Sequence, residues 1–160
     1  MKNMITTLHK SAAILAFLLI LSFFISSLFV ELFGRHEDIV LVKTMIFYGI
    51  WVLIPTMAVT GITGAKMAPK VKSGPIASKK KRMPFIALNG LLILTPAAIY
   101  LHYLAKIGQF DGVFYGIQIV ELIAGFTNLT LMALNIRDAR KVKSKTRSTE
   151  KSGVRNSQIM

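Results

Sequence analysis

The chain has no cysteine among its 160 residues, which excludes disulfides, thiolate metal centres and thiol nucleophiles together. Acidic charge is scarce as well. Asp and Glu number 7 against 20 Lys and Arg, a formal +13. Charged residues of both signs make up 17% of the chain, below the roughly 25% of average soluble domains. Hydrophobic residues make up 53%, and the mean hydropathy is +0.56. That balance excludes a disordered tail, a collagenous fibre and a secreted disulfide scaffold. Catalytic signatures are missing too: no phosphate loop, zincin pattern or nucleotide fingerprint occurs. The expectation is therefore a protein of non-enzymatic type.

Four long apolar runs fill most of the chain: Ser11–Phe33, Thr44–Ala65, Pro84–Ala105 and Val113–Ile136. Each, at about 1.5 Å per residue, is long enough to cross about 30 Å of hydrocarbon as a helix. The first is too long for a signal peptide and no A-x-A-like cleavage site closes it, so it reads as a retained helix. The expected fold is all-α, a polytopic membrane protein with four antiparallel transmembrane helices over 1–136. A basic, flexible tail over 137–160 is expected to follow. The turn-rich segment around Ala68–Pro75 reads as a flexible loop.

Seventeen Lys and Arg fall at the N-terminus, in the middle loop and in the tail, whereas only Arg35, Lys43 and Lys106 fall on the other side. By the positive-inside rule this predicts both termini in the cytoplasm, in a bacterial inner membrane. Lys79, Lys80, Lys81 and Arg82 read as contacts for anionic lipid headgroups. Nucleic acid is not an expected partner, because the tail lacks interleaved aromatics and any folded reader.

Inside the runs, polar residues recur at helical spacing. Gln118, Glu121, Gly125, Asn128 and Asn135 share one face of the fourth helix, and Asn89, Ile93, Pro96, Tyr100 and Tyr103 share one face of the third. Polar groups in hydrocarbon must find protein partners, so these stripes are expected to meet as a buried seam. Matching depths along antiparallel neighbours predicts a hydrogen bond from Tyr100 to Glu121 and a contact between Asn89 and Asn128. Glu121 is a candidate for proton or cation handling. Its plainer role, a protonated carboxyl joining helices, is preferred because a lone carboxyl makes a poor relay.

Pro55 and Pro96 are expected to kink the second and third helices by removing backbone donors. The freed carbonyls, with the Thr56, Thr60 and Thr63 hydroxyls, could line a small cavity, although static kinks that improve packing are preferred. Ala58, Gly61 and Ala65, and the Gly112–Gly116 step, offer small-residue packing, a weak signal in any apolar helix. No cofactor is expected; His36 and His102 are the candidate ligands for the alternative, haem b, and His9 lies on the opposite side. No metal site is expected. Glu37, Asp38 and Asp111 read as solvated loop acids, with Asp111 as the N-cap of helix four.

The residues Lys81-Arg82-Met83, Asn89-Gly90, Thr95-Pro96-Ala97-Ala98, Phe110-Asp111, Gln118, Glu121, Ala124-Gly125, Asn128, Asn135 and Arg137-Asp138 resemble those of small, uncharacterised four-helix inner-membrane proteins of Gram-negative bacteria. The resemblance covers helices two to four better than helix one, and it implies a location and brings no activity or ligand. Three expectations follow from the sequence. The first is an accessory subunit or small binding protein, with a membrane-protein partner or as a homo-oligomer. The second is a small proton-coupled carrier centred on Glu121. The third is a haem-binding electron-transfer protein on His36 and His102.

Overall fold

In the computed structural model, which describes the backbone of residues 2–67 and 75–157 and the side chains of 3–67 and 81–140, every regular element is helical. The order is α1 (Lys2–Phe33), α2 (His36–Met67), α3 (Pro75–Asn89), a π-helical turn (Gly90–Leu94), α4 (Thr95–Lys106) and α5 (Gly112–Ser157). The segment 68–74, which contains most of the expected flexible loop, lies outside the described residues. Segments Asn3–Phe33, His36–Met67, Lys81–Lys106 and Gly112–Arg140 are each long and apolar enough to cross a membrane.

The helices outrun the apolar runs that announce them. α2 begins at His36, eight residues before the expected Thr44, because Asp38 caps it: the Arg35 backbone N–H donates to Asp38 Oδ2 at 2.8 Å. The expected outer loop over Gly34–Lys43 thereby shrinks to a turn at Gly34 and Arg35, and Lys43 moves into a helix. At the other extreme, α5 continues through Arg137 to Ser157, so the segment expected to be a flexible tail is helical up to that residue.

Short turns make the neighbours antiparallel. α1 packs along α2, α2 against α4, and α5 against α1, α3 and α4. One end of the bundle, here the hairpin end, carries the α1–α2 and α4–α5 turns. Helix α4 ends there in a Schellman motif: Gly108 takes φ 73°, its N–H donates to Ala105 O at 3.0 Å and the Gln109 N–H donates to Leu104 O at 2.9 Å. Asp111 then starts α5, accepting at Oδ1 from the Val113 and Phe114 N–H groups, both at 3.0 Å. That is the N-cap the sequence predicts.

The Gln109 side-chain amide, followed by those backbone donors, holds the Asp111 carboxyl below its usual pKa. A carboxyl depressed in the folded state stabilises above its ordinary pKa and loses that contribution as pH falls through the depressed one. Amide exchange at Val113 and Phe114 is thus expected to quicken in Asp111→Ala near neutral pH. In the unaltered protein, the same amides should lose protection only at strongly acidic pH.

The exterior is apolar, and polar and charged side chains are buried among an apolar core. Trp51 is 64% exposed and Phe126 61%, while Lys43 is 0% exposed and Gln118, Glu121 and Asn128 are buried. Water as solvent would reverse that arrangement; hydrocarbon explains it.

Close helix approach occurs away from the expected small-residue steps. A Cβ at Gly61, Gly112 or Gly116 would meet nothing within 4 Å, and Ala58 and Ala65 are exposed. A Cβ at Gly49 instead would run into the Phe23 ring.

Candidate functional site: a buried ion pair joining three helices

Lys43 lies seven residues into α2, about 10 Å from the helix start by its rise. Its Nζ donates to Glu121 Oε2 at 2.6 Å and to Ser27 Oγ at 3.0 Å, which ties α1, α2 and α5 together at one level. Gln118, one turn before Glu121 in α5, donates its Nε2–H to the same carboxylate oxygen at 3.1 Å. An ammonium with no exposed surface is tolerable in a low-dielectric interior only with such a partner. The lone carboxyl expected at position 121 therefore has a full countercharge. Glu31, one turn beyond Ser27 in α1, lies within electrostatic range of Lys43, Glu121 and His36.

Beside the pair is a cavity of about 50 Å³, lined by all four spans; Ser27, Thr95 and Glu121 are its polar members among apolar side chains such as Phe24, Ile50 and Leu94. Such a volume accommodates a few water molecules, at roughly 10–15 Å³ each, and no metabolite.

Tyr100 is not part of this site. It is 45% exposed, and its ring stacks against Tyr103 with centroids 6.3 Å apart. The correction has a physical cause in the π turn at Gly90–Leu94. Pro96 has no N–H to offer the Leu92 carbonyl and its ring crowds that carbonyl. The helix responds by widening: the Thr95 N–H donates to Gly90 O, five residues back, and Thr95 Oγ1 donates to the same oxygen at 2.9 Å. The widened turn shifts the register by about one residue, so Ala97, Leu101 and Leu104 face inward in place of Pro96, Tyr100 and Tyr103.

Below the π turn the expected register holds. Asn89 Nδ2 donates to Asn128 Oδ1 at 2.9 Å and to Ala124 O at 2.8 Å, and Asn128 Nδ2 donates to Ile86 O at 3.3 Å. Asn128 is fully buried. Interhelical hydrogen bonds in membranes average about 0.6 kcal/mol each, so Asn128→Leu is expected to cost about 1–2 kcal/mol. Reversible unfolding in detergent checks it.

The other expected participants lie elsewhere. Pro55 is exposed within an unbroken α2, and neither it nor Thr56, Thr60 and Thr63 lines the cavity. Each of those hydroxyls donates to a carbonyl of its own helix, at Val52, Thr56 and Val59. Two threonines serve a residue the sequence did not single out. Buried His9 sits with Nδ1 at 3.0 Å from Thr63 Oγ1 and 3.1 Å from Thr60 O. Since the Thr63 proton is already donated to Val59, both partners act as acceptors and Nδ1 carries the hydrogen.

His36 stacks on Phe110 with centroids 4.1 Å apart, and His102 stacks on Phe47 at 4.6 Å with Nδ1 3.4 Å from Thr44 Oγ1. Thr44 is eight residues, about 12 Å, along α2 from His36. Each ring is thus held against a different aromatic side chain, at a different level of α2.

At the terminal end, Arg82 donates to Asp138 Oδ2 at 2.7 Å and joins α3 to α5. Arg82, expected as a lipid contact, pairs with this buried carboxylate and keeps part of its side chain exposed. Lys81 is exposed; the side chains of Lys79 and Lys80 lie outside the described residues.

The chain is all-helical among the described residues, with four helices long and apolar enough to span a membrane and an ion pair inside the bundle. Comparison with protein-family models, with curated proteins and with solved structures returns no match to it.

Proposed function

We propose that this chain is a non-enzymatic multi-pass protein of a bacterial inner membrane, with both termini and the α2–α3 connection cytoplasmic. In this proposal it acts as a small binding protein or accessory subunit, alone or as a homo-oligomer, whose bundle is locked by the Lys43–Glu121 pair. The observation that carries this reading is that pair: Lys43 has no exposed surface and is spent on Glu121 and Ser27. A closed, mutually neutralised pair behaves as a clasp, which suits a static bundle that docks on a partner.

The orientation rests on the cations. With Lys43 inside the bundle, Arg35 and Lys106 are the Lys and Arg left at the hairpin end among the described residues. Lys10, Lys66, Lys81, Arg137 and Arg140 cluster at the other end, where anionic headgroups are the expected lipid partner.

A second reading, a small proton-coupled carrier centred on Glu121, is favoured by one observation: the Glu31 carboxylate, close to the pair, keeps a buried oxygen without a hydrogen-bond partner among the described residues. Extraction in mild detergent, followed by mass measurement and a proton-flux assay in liposomes, separates the two. A larger co-purified complex without flux supports the first. Flux that disappears in folded Glu121→Gln supports the second and overturns the first.

A further inference from the structure

When the Lys43–Glu121 pair is closed, two acceptors remain unmatched. Glu31 and Gln118 each keep Oε1 buried with no hydrogen-bond partner among the described residues. Gln118 is 3% exposed and its amide nitrogen is spent on Glu121, so its Oε1 can only accept and has nothing to accept from. The helical frame puts these two residues at about one level. Ser27 and Glu121 mark a common depth because both bond Lys43 Nζ. α1 and α5 are packed and antiparallel. Glu31 follows Ser27 by four residues and Gln118 precedes Glu121 by three, so they stand about 6 and 4.5 Å beyond that depth, both toward the hairpin end.

The charges facing Glu31 are Lys43 and His36 from α2 and Glu121 from α5. Taken with Glu121 and Lys43, the half-buried Glu31 makes two carboxylates to one ammonium, one excess negative charge before His36 is counted, and two acceptors at about one level lack one hydrogen. A single proton removes both defects, where a water molecule would supply the hydrogen and leave the charge.

We propose that Glu31 is the proton-binding residue of this bundle. A hydronium ion arriving from the hairpin end gives its proton to the Glu31 carboxylate and leaves as water; the new O–H donates to Gln118 Oε1. No other bond breaks and no electron moves. When the proton departs, Glu31 becomes a second anionic partner competing with Glu121 for the Lys43 ammonium. Proton occupancy at Glu31 and the strength of the Lys43–Glu121 clasp are thereby linked. The inference rests on the membrane-embedded pair proposed above.

Infrared difference spectra between acid and alkaline buffer, taken on the full chain in lipid nanodiscs, test it. A carboxylic-acid carbonyl band is expected that Glu31→Gln abolishes, that Gln118→Leu shifts in frequency, and that Glu121→Gln does not remove. Glu31→Gln, a near-isosteric mimic of the protonated acid, should also flatten the pH dependence of the melting temperature. The inference is overturned by a band that survives Glu31→Gln, by one indifferent to Gln118→Leu, or by one that responds to sodium at constant pH. It is equally overturned if Glu31→Gln melts with the same pH dependence as the unaltered protein. Failure of the underlying pair would show separately, as additive effects of Lys43→Met and Glu121→Gln on unfolding.

Discussion

Lys43→Met is expected to lower the stability of the bundle by about 3–5 kcal/mol, the cost of leaving a buried charge without its partner. Glu121 would then face apolar side chains with only the Gln118 amide as donor, and Ser27 would lose its contact with α2. The double substitution Lys43→Met with Glu121→Leu is expected to recover most of that loss, because apolar residues of similar volume replace a buried pair at little net cost. Unfolding under controlled denaturant in micelles measures both. Equal destabilisation by the double and the single variants would mean that the pair is not what the single variant breaks.

Phe114→Ala is the second large effect. Phe114 is fully buried at the start of α5, packed with Val30, Ile39, Leu101 and Leu104 at the hairpin end. Lipid reduces the transfer part of the cost but does not fill the void, and a loss of about 3 kcal/mol is expected, the low end of the range for such truncations. Because this cluster braces the level just outside the ion pair, proteolysis should open the α1–α2 and α4–α5 turns faster in that variant than in the unaltered protein. Undiminished protection there would show that the cluster does not hold the end together.

Much of this was legible in the residues. Four apolar runs give four spans, and the Asn89–Asn128 contact follows from helical period and antiparallel pairing. Two features were not. Lys43 sits at the edge of an apolar run, and a charge in that position reads as loop. The signal that would have placed it was Asp38, whose carboxylate takes the Arg35 N–H and starts the helix at His36. Tyr100 was misplaced because a uniform period of about 100° per residue ignores the π turn that Pro96 induces. The sequence warned of that strain, since Pro96 is expected to kink the third helix by removing a backbone donor. It did not say that the disturbance would be absorbed as rotation. Where a proline follows a glycine-led apolar stretch inside a span, the stripe should be read separately on each side of it.

The clasp also explains why so polar a group of residues is tolerated within an otherwise apolar bundle. Lys43, Glu121, Ser27 and Gln118 satisfy one another across three helices, leaving the Glu31 and Gln118 oxygens as the unmatched positions of that cluster. A structural pair and a proton site can then coexist one helical turn apart, the first setting the geometry that the second requires.

Charge reversal tests the central claim most directly. Lys43→Glu or Glu121→Lys alone buries two like charges at contact distance, and either variant should fail to yield folded, monodisperse protein in detergent. The two reversals together restore opposite charges, and the account predicts that folded protein and a cooperative melt return. If either single reversal folds as well as the unaltered chain, or the double variant does no better than the singles, then Lys43 and Glu121 do not hold these helices together.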